Sequence, residues 1–233
     1  MILSNECWLK NECNKYLNKD AECKHNDVFC MKLFKLNTLY DLALISDNQR
    51  KHMNLMLDES RVDESAFMKL KGYQDNIEQC IQDGLNLYIY STITGNGKTC
   101  WAIRLIQAYF NKIWYKTDLV CRALFISVPR YLLAIKDNIS EVNEYANNIK
   151  ERVLDADLVV WDDIGTKVAT SFEHENLLSI IDARISQGKS NIFTSNIIPD
   201  GLKDVAGDRL YSRIINFSEC IPFYGEDKRG IKQ

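Results

Sequence analysis

Three observations predict a parallel α/β sheet covered by helices on both faces, with a small cysteine-rich helical module in front of it. Short runs with apolar residues at successive positions, rather than alternating ones, recur between helical segments, which is the pattern of strands buried on both sides. One such run, Leu85-Asn86-Leu87-Tyr88-Ile89-Tyr90, leads into a glycine-bearing loop that ends in Gly-Lys-Thr. Four of the eight cysteines, Cys7, Cys13, Cys23 and Cys30, crowd the beginning, with His25 among them.

The elements follow in order. Phe29, Leu33, Leu36 and Tyr40 recur at helical spacing and give one apolar stripe, able to pack on the cysteine-bearing loops or on a partner. Over 48–65 the periodicity is lost and charges alternate in sign (Asp58, Glu59, Arg61, Asp63, Glu64), so this stretch reads as a linker. Residues 66–82 read as one helix, apolar at Phe67, Leu70, Ile77 and Ile81, which Asp83-Gly84 stops before the first strand. Further strands are expected at 124–128, 158–161 and 191–195, with helices around 131–136, 141–154 and 173–187. The run Cys220-Ile221-Pro222-Phe223 reads as a last strand, placed at an edge because Pro222 has no N–H to give to a ladder. The expected division is a cysteine-rich module over 1–60 and an α/β domain over 61–233.

At 233 residues and 46% hydrophobic, the chain can bury a full core. A formal net charge of −3 offers no global attraction to nucleic acid, so a DNA contact is expected only from a local patch or an assembly. The start carries charge where a signal peptide would be apolar, and no segment is long and apolar enough to span a bilayer. A cytoplasmic protein with no membrane contact is therefore expected. Thiols stay reduced there, so the cysteines read as metal ligands or small buried residues rather than as disulfides.

The loop after the first strand carries the chemistry. Gly95 and Gly97 allow a tight turn that aims backbone N–H groups at phosphate oxygens, Lys98 reaches the β and γ phosphates, Thr99 ligates Mg²⁺, and the helix that begins here offers its positive end. Gly95, Asn96, Gly97, Lys98, Thr99 and Cys100 form the candidate nucleotide-binding set. The usual Gly-x-x-x-x-Gly-Lys-[Ser/Thr] pattern wants glycine where this chain has Thr92. The run Leu158-Val159-Val160-Trp161 ends in Asp162-Asp163, and in a parallel sheet the carboxyl ends of the strands form the ligand edge. Asp162 is expected to hold Mg²⁺ or its water, and Asp163 to orient or deprotonate the attacking water. Asn196, at the end of the fourth strand, is placed to bond that water or the γ phosphate. Arg209 and Arg213, four apart on a short expected helix over 208–215, are candidates to reach into a neighbouring subunit's nucleotide, or else are surface charges.

Gly95-Asn96-Gly97-Lys98-Thr99, Val159-Val160-Trp161-Asp162-Asp163-Ile164-Gly165, Ile181-Asp182-Ala183-Arg184, Phe193-Thr194-Ser195-Asn196 and Gly207-Asp208-Arg209-Leu210-Tyr211-Ser212-Arg213-Ile214 stand in the order and spacing of a known family. The chain resembles the DnaC/DnaI-type AAA+ helicase loaders of the IstB-like superfamily, above all the short versions of phages and mobile elements, over about residues 66 to 229. The resemblance implies a P-loop AAA+ fold without a helical lid. It implies Lys98 and Thr99 as Walker A, Asp162 and Asp163 as Walker B, Asn196 as sensor 1, Arg213 as arginine finger, and Lys228 or Arg229 near the sensor 2 position. It also implies ATP and Mg²⁺, slow hydrolysis without a partner or DNA, docking of the amino-terminal module on a replicative hexameric helicase, single-stranded DNA as a further partner, and homo-oligomers on ATP or on the helicase. The function implied is ATP-dependent helicase loading in DNA replication initiation.

For the cysteine cluster, tetrahedral Zn²⁺ on Cys7, Cys13, Cys23 and Cys30, with His25 as a substitute for one thiolate, would hold together a module too small for its own core. No Cys-x-x-Cys pair is present; an iron–sulfur cluster on the same thiolates and buried unligated cysteines are the other readings. Three other functions compete with the loader. These are an IstB-type transposition helper ATPase acting with a transposase, a small-molecule kinase on the same phosphate loop, and a nucleotide-gated DNA-binding module with negligible hydrolysis.

Overall fold

The computed structural model of the chain describes residues 30–51, 61–137, 142–166 and 170–228. Five strands, β1 (Asn86–Tyr90), β2 (Ala123–Ser127), β3 (Leu158–Asp162), β4 (Ser190–Ser195) and β5 (Glu219–Pro222), form one parallel sheet in the order β2-β3-β4-β1-β5. Their side chains alternate between two apolar cores. Leu87, Ile89, Phe125, Leu158 and Val160 belong to the first, while Tyr88, Leu124, Ile126, Val159 and Trp161 belong to the second. Both faces of the strands are thus buried, as the unbroken apolar runs require. Pro222 lies opposite Tyr90 on β5, which pairs only with β1 and is an edge.

The first face is covered by α1 (Met31–Leu42), with the short α2 (Asp47–Lys51) after it, and by α3 (Glu64–Asp75), α4 (Ile77–Gln82) and α5 (Lys98–Ile113). In α5 the buried residues Trp101, Ala102, Leu105, Ile106, Tyr109, Phe110 and Ile113 recur three and four apart, so one stripe faces the sheet. The second face is covered by α6 (Val128–Asp137), α7 (Glu144–Arg152), α8 (Ser171–Ser186) and α9 (Pro199–Ile215). A capping box starts α8: Thr170 Oγ1 accepts the Glu173 N–H, and the Glu173 carboxylate accepts the Thr170 N–H. None of the described helices is long and apolar enough to cross a membrane.

Several details depart from the sequence reading. Leu33, Leu36 and Tyr40 pack into the core of the α/β sheet; Tyr40 meets Phe110 of α5 edge-on, with ring centres 5.2 Å apart. Phe125 of β2 donates its N–H to Ala43 O at 2.9 Å, which ties the end of α1 to the sheet. Phe29 lies outside the described residues. The start of the expected linker belongs to α2 (Asp47–Lys51), Asp63 is buried, and 52–60 are outside the described residues. The helix expected over 66–82 is two helices, because Asn76 takes φ −109° and breaks the run between α3 and α4. The helix expected at 208–215 is the second half of α9, which Pro199 starts and which kinks where Gly207 adopts φ 71°.

At the sheet edge opposite the strand carboxyl ends, Arg184 is fully buried. It donates to Ala156 O at 2.8 Å, Ser190 O at 2.6 Å, Asn191 Oδ1 at 2.8 Å and Val153 O. Burial pulls its guanidinium down to about 9, with Asp157 opposing the shift.

Candidate nucleotide-binding and hydrolysis site

The loop over 91–97 joins β1 to α5. Ser91 Oγ accepts the Ile93 N–H at 3.1 Å and the Asn96 side-chain amide at 2.8 Å, which folds the loop back on its own start. Gly95 (φ 73°) and Gly97 (φ 104°) take the left-handed turns that close it. Thr92 is not among the residues with positive φ, so the position where the pattern wants glycine makes no such demand here. Lys98 opens α5 and is buried; its ammonium donates to Ile93 O at 2.9 Å and Asn96 Oδ1 at 3.3 Å, so the charge lies across the concave side of the loop.

Beside Lys98, Thr99 Oγ1 donates to Asp162 Oδ1 at 2.8 Å. The chain order of the sheet puts β4 between β1 and β3, and β4 supplies the next contact. Thr194 Oγ1 donates to the same Asp162 oxygen at 2.6 Å and accepts the Asp163 N–H at 3.0 Å. Asp163 has φ 59°, in the left-handed region, and turns out of the strand. Asn196 brings its amide to 3.5 Å from Asp163 Oδ1, at the outer limit of a hydrogen bond. Asp162 is pushed up to about 6, first by burial and then by the Asp163 charge, against the hydrogen bonds from Thr194 and Thr99 and the Lys98 charge.

Lys98, Thr99, Asp162, Asp163 and Asn196 are thus brought together at one edge, with Gly95, Asn96 and Gly97 forming the loop above them. Cys100 sits in the first turn of α5, half-buried, its thiol raised by burial and by Asp162. Arg213 is not part of this cluster. Its Nε pairs with Asp182 Oδ1 of α8 at 2.6 Å, on a half-exposed face shared with Asp208 and Arg209. Lys228 approaches the loop through its backbone, donating its N–H to Gly95 O at 3.0 Å; Arg229 lies outside the described residues. Cys30 caps the start of α1 and packs against the first core. Cys7, Cys13, Cys23 and His25 lie outside the described residues, and among those described no group of three or more His, Cys, Asp or Glu is placed to hold a metal ion.

Thr194 has a signal in the sequence too. Residues two apart on a strand share a face, so a hydroxyl two positions before Asn196 points at the same edge. Asp63, read as a linker charge, carried no such signal.

The donor set suits a magnesium–triphosphate. The Thr99 hydroxyl donates its hydrogen bond to Asp162 and keeps lone pairs for a hard cation, which prefers oxygen ligands. A buried lysine beside a helix N-terminus offers charge-assisted bonds to phosphate.

The same fold occurs in solved structures. The DnaC helicase loader superposes with a TM-score of 0.63 at 18% identity, over 77% of this chain and 100% of that one. The chain has an AAA+ P-loop fold. DnaI is similar to it as well, with a TM-score of 0.55 at 19% identity, over 75% of this chain and 94% of DnaI. So is the replication initiator DnaA bound to AMPPCP and single-stranded DNA, with a TM-score of 0.55 at 20% identity, over 76% of this chain and 50% of that chain. The likeness to DnaC and DnaI read from the motifs is therefore also a likeness of AAA+ fold. No protein-family model and no curated protein sequence matches the chain.

Proposed function

We propose that this protein is a Mg²⁺-dependent ATPase that loads a replicative hexameric helicase during the initiation of DNA replication. The observation that carries the reading is the contact of Thr99 with Asp162 beside the buried Lys98, on a fold that matches the full length of the solved chain of the DnaC helicase loader. Lys98 and the N–H groups of the loop grip the phosphates. Thr99 and Asp162 would hold the magnesium ion, which when bound would supply positive charge to offset that developing on the transferred phosphoryl group. Asp163, turned out of β3, orients and deprotonates the attacking water, and Asn196 steadies that carboxylate. Arg213 completes charge neutralisation in a neighbouring subunit, exchanging its Asp182 partner for phosphate, so that ATP drives assembly on the helicase. Residues 1–60 supply the helicase contact, with zinc on Cys7, Cys13, Cys23 and Cys30 holding the cysteine-bearing part together; α1 and α2, from the same stretch, rest on the ATPase core. Single-stranded DNA is the further partner, and the site of action is the cytoplasm.

The test is reconstitution of the full chain with the purified replicative helicase of its host on closed single-stranded circles. ATP-dependent transfer of the helicase to DNA is expected, with transfer lost in Lys98→Ala. Absence of complex with the helicase, together with ATP hydrolysis stimulated by a transposase on duplex DNA, would instead make the protein a transposition helper. Elemental analysis of protein purified without chelator tests the metal; neither zinc nor iron in it would refute that site.

A further inference from the structure

Beyond β5 the chain turns back across the first face and reaches the phosphate loop. Asp63, 1% exposed, accepts two successive backbone N–H groups there, from Tyr224 at 2.6 Å and from Gly225 at 3.0 Å. It stands at the N-cap position of α3 yet makes no side-chain cap bond; its carboxylate is committed to a segment more than 150 residues away, as the 161- and 162-residue separations show. Phe67, one turn along α3, packs on Phe223 with ring centres 5.6 Å apart and on Trp101 of α5 at 5.3 Å. The Lys228 ammonium lies 5.2 Å from the centre of the same Phe67 ring. From this anchored position Lys228 donates its N–H to Gly95 O at 3.0 Å.

That last bond reaches into the loop expected to grip phosphate. In a trans peptide, the carbonyl oxygen of one residue and the N–H of the next point in opposite directions. A donor held on Gly95 O therefore fixes where the Asn96 N–H points. The constraint matters at this peptide because Gly95 and Gly97, on either side of Asn96, are glycines in left-handed conformations (φ 73° and 104°), and glycine resists peptide reorientation least.

We propose that residues 223–228 form a strap that presets the phosphate loop through the Lys228 N–H to Gly95 C=O bond, with Asp63 as the positioning residue that holds the strap in place. The inference rests on the reading of this site as a nucleotide site. It adds a control on affinity that lies outside the Lys98, Thr99 and Asp162 cluster. A loop already aimed loses less freedom when it binds, which is the general gain from preorganisation.

The test is calorimetric titration of ATP and of ADP, with Mg²⁺, into the full-length wild type, Lys228→Pro, Lys228→Ala and Asp63→Asn. Proline lacks the N–H, whereas alanine keeps it. The expected result is a loss of about tenfold in affinity for Lys228→Pro and Asp63→Asn, the size of one hydrogen bond. The loss should be equal for ATP and ADP, since the loop grips phosphates common to both, and Lys228→Ala, which keeps the N–H and gives up only the contact of its ammonium with the Phe67 ring, should lose clearly less than Lys228→Pro. Amide hydrogen exchange at Asn96 and Gly97 should quicken in nucleotide-free Lys228→Pro while β1 and β3 keep their protection, a change that a general loss of stability would not confine to the loop. Wild-type affinity in Lys228→Pro, or equal weakening in Lys228→Ala and Lys228→Pro, overturns the strap and leaves the site reading intact. If Asp63→Asn does not fold, the two Lys228 variants decide. A wild-type chain that takes neither nucleotide overturns the site reading and the strap with it.

Discussion

Thr194 Oγ1 lies 2.6 Å from Asp162 Oδ1 and 3.0 Å from the Asp163 backbone nitrogen, so one hydroxyl on β4 ties together the two acidic residues at the end of β3. It donates to the first and accepts from the second. Valine has the same shape without the hydroxyl, and would leave the buried Asp162 with one donor fewer and the Asp163 N–H without its acceptor. Hydrogen bonds to charged groups contribute about 1.5–3 kcal/mol, so Thr194→Val should lower Mg²⁺-dependent turnover by roughly 10- to 100-fold, while Thr194→Ser stays near wild type. The Mg²⁺ dependence of turnover in the two variants is the check, and equal activity in both would remove Thr194 from the site.

Asp163 holds its carboxylate beyond the strand by way of φ 59°, a conformation in which Asp and Asn are enriched among non-glycine residues. Asp163→Asn should therefore keep the backbone and keep ATP, yet slow hydrolysis by about 10²- to 10⁴-fold, the usual contribution of a general base. Equilibrium binding and single-turnover hydrolysis measured side by side separate the two effects. Equal loss of binding would show that the second carboxylate holds the metal.

How far the sequence carries can be seen residue by residue. Asp162 was legible because it ends an apolar strand, and Lys98 and Thr99 because they follow one through a glycine-bearing loop; parallel strands deliver their carboxyl ends to one edge. The edge position of β5 followed from Pro222 lacking an N–H. Asp63 was not legible, because its partners are backbone amides of Tyr224 and Gly225 that leave no mark on composition or period. The break at Asn76 was hidden for another reason. Apolar spacing continues across it, and only the backbone angles reveal it; at Gly207 the expected helix began on the correct side, and the half over Pro199–Ala206 was missing from it.

Arg184 looks like one polar residue of a helical motif, yet it is fully buried and satisfies carbonyls of Val153, Ala156 and Ser190 together with the Asn191 amide. Arg184→Met would take this donor from all of them, leaving the Asn191 oxygen only its bond from Trp161 Nε1. Stability should fall by about 3–5 kcal/mol, the range seen when one side of a buried charged network is removed. Urea unfolding of the full chain measures it. A change under about 0.5 kcal/mol, typical of surface positions, would show that the clamp carries no weight.

Arg213 is paired with Asp182 on a half-exposed face, and the trans role proposed for it can be tested by substitution. Arg213→Ala should keep ATP binding and lose helicase-stimulated or DNA-stimulated hydrolysis. Mixed with Lys98→Ala chains, it should recover part of that hydrolysis, since some interfaces then pair an intact Lys98 with an intact Arg213. No recovery despite demonstrated co-assembly would return Arg213 to a structural role.

The most direct measurement is calorimetric titration of Mg-ATP into the wild-type chain and into Lys98→Ala. The Lys98 ammonium is the buried charge of the phosphate loop, bonded to Ile93 O and Asn96 Oδ1, and charge-assisted bonds are strongest where water is excluded. Saturable binding of one ATP per chain in wild type, abolished or weakened by at least about 100-fold in Lys98→Ala, a loss of roughly 2.7 kcal/mol, is the result the structure predicts. Equal affinity and equal turnover in the two proteins would contradict it.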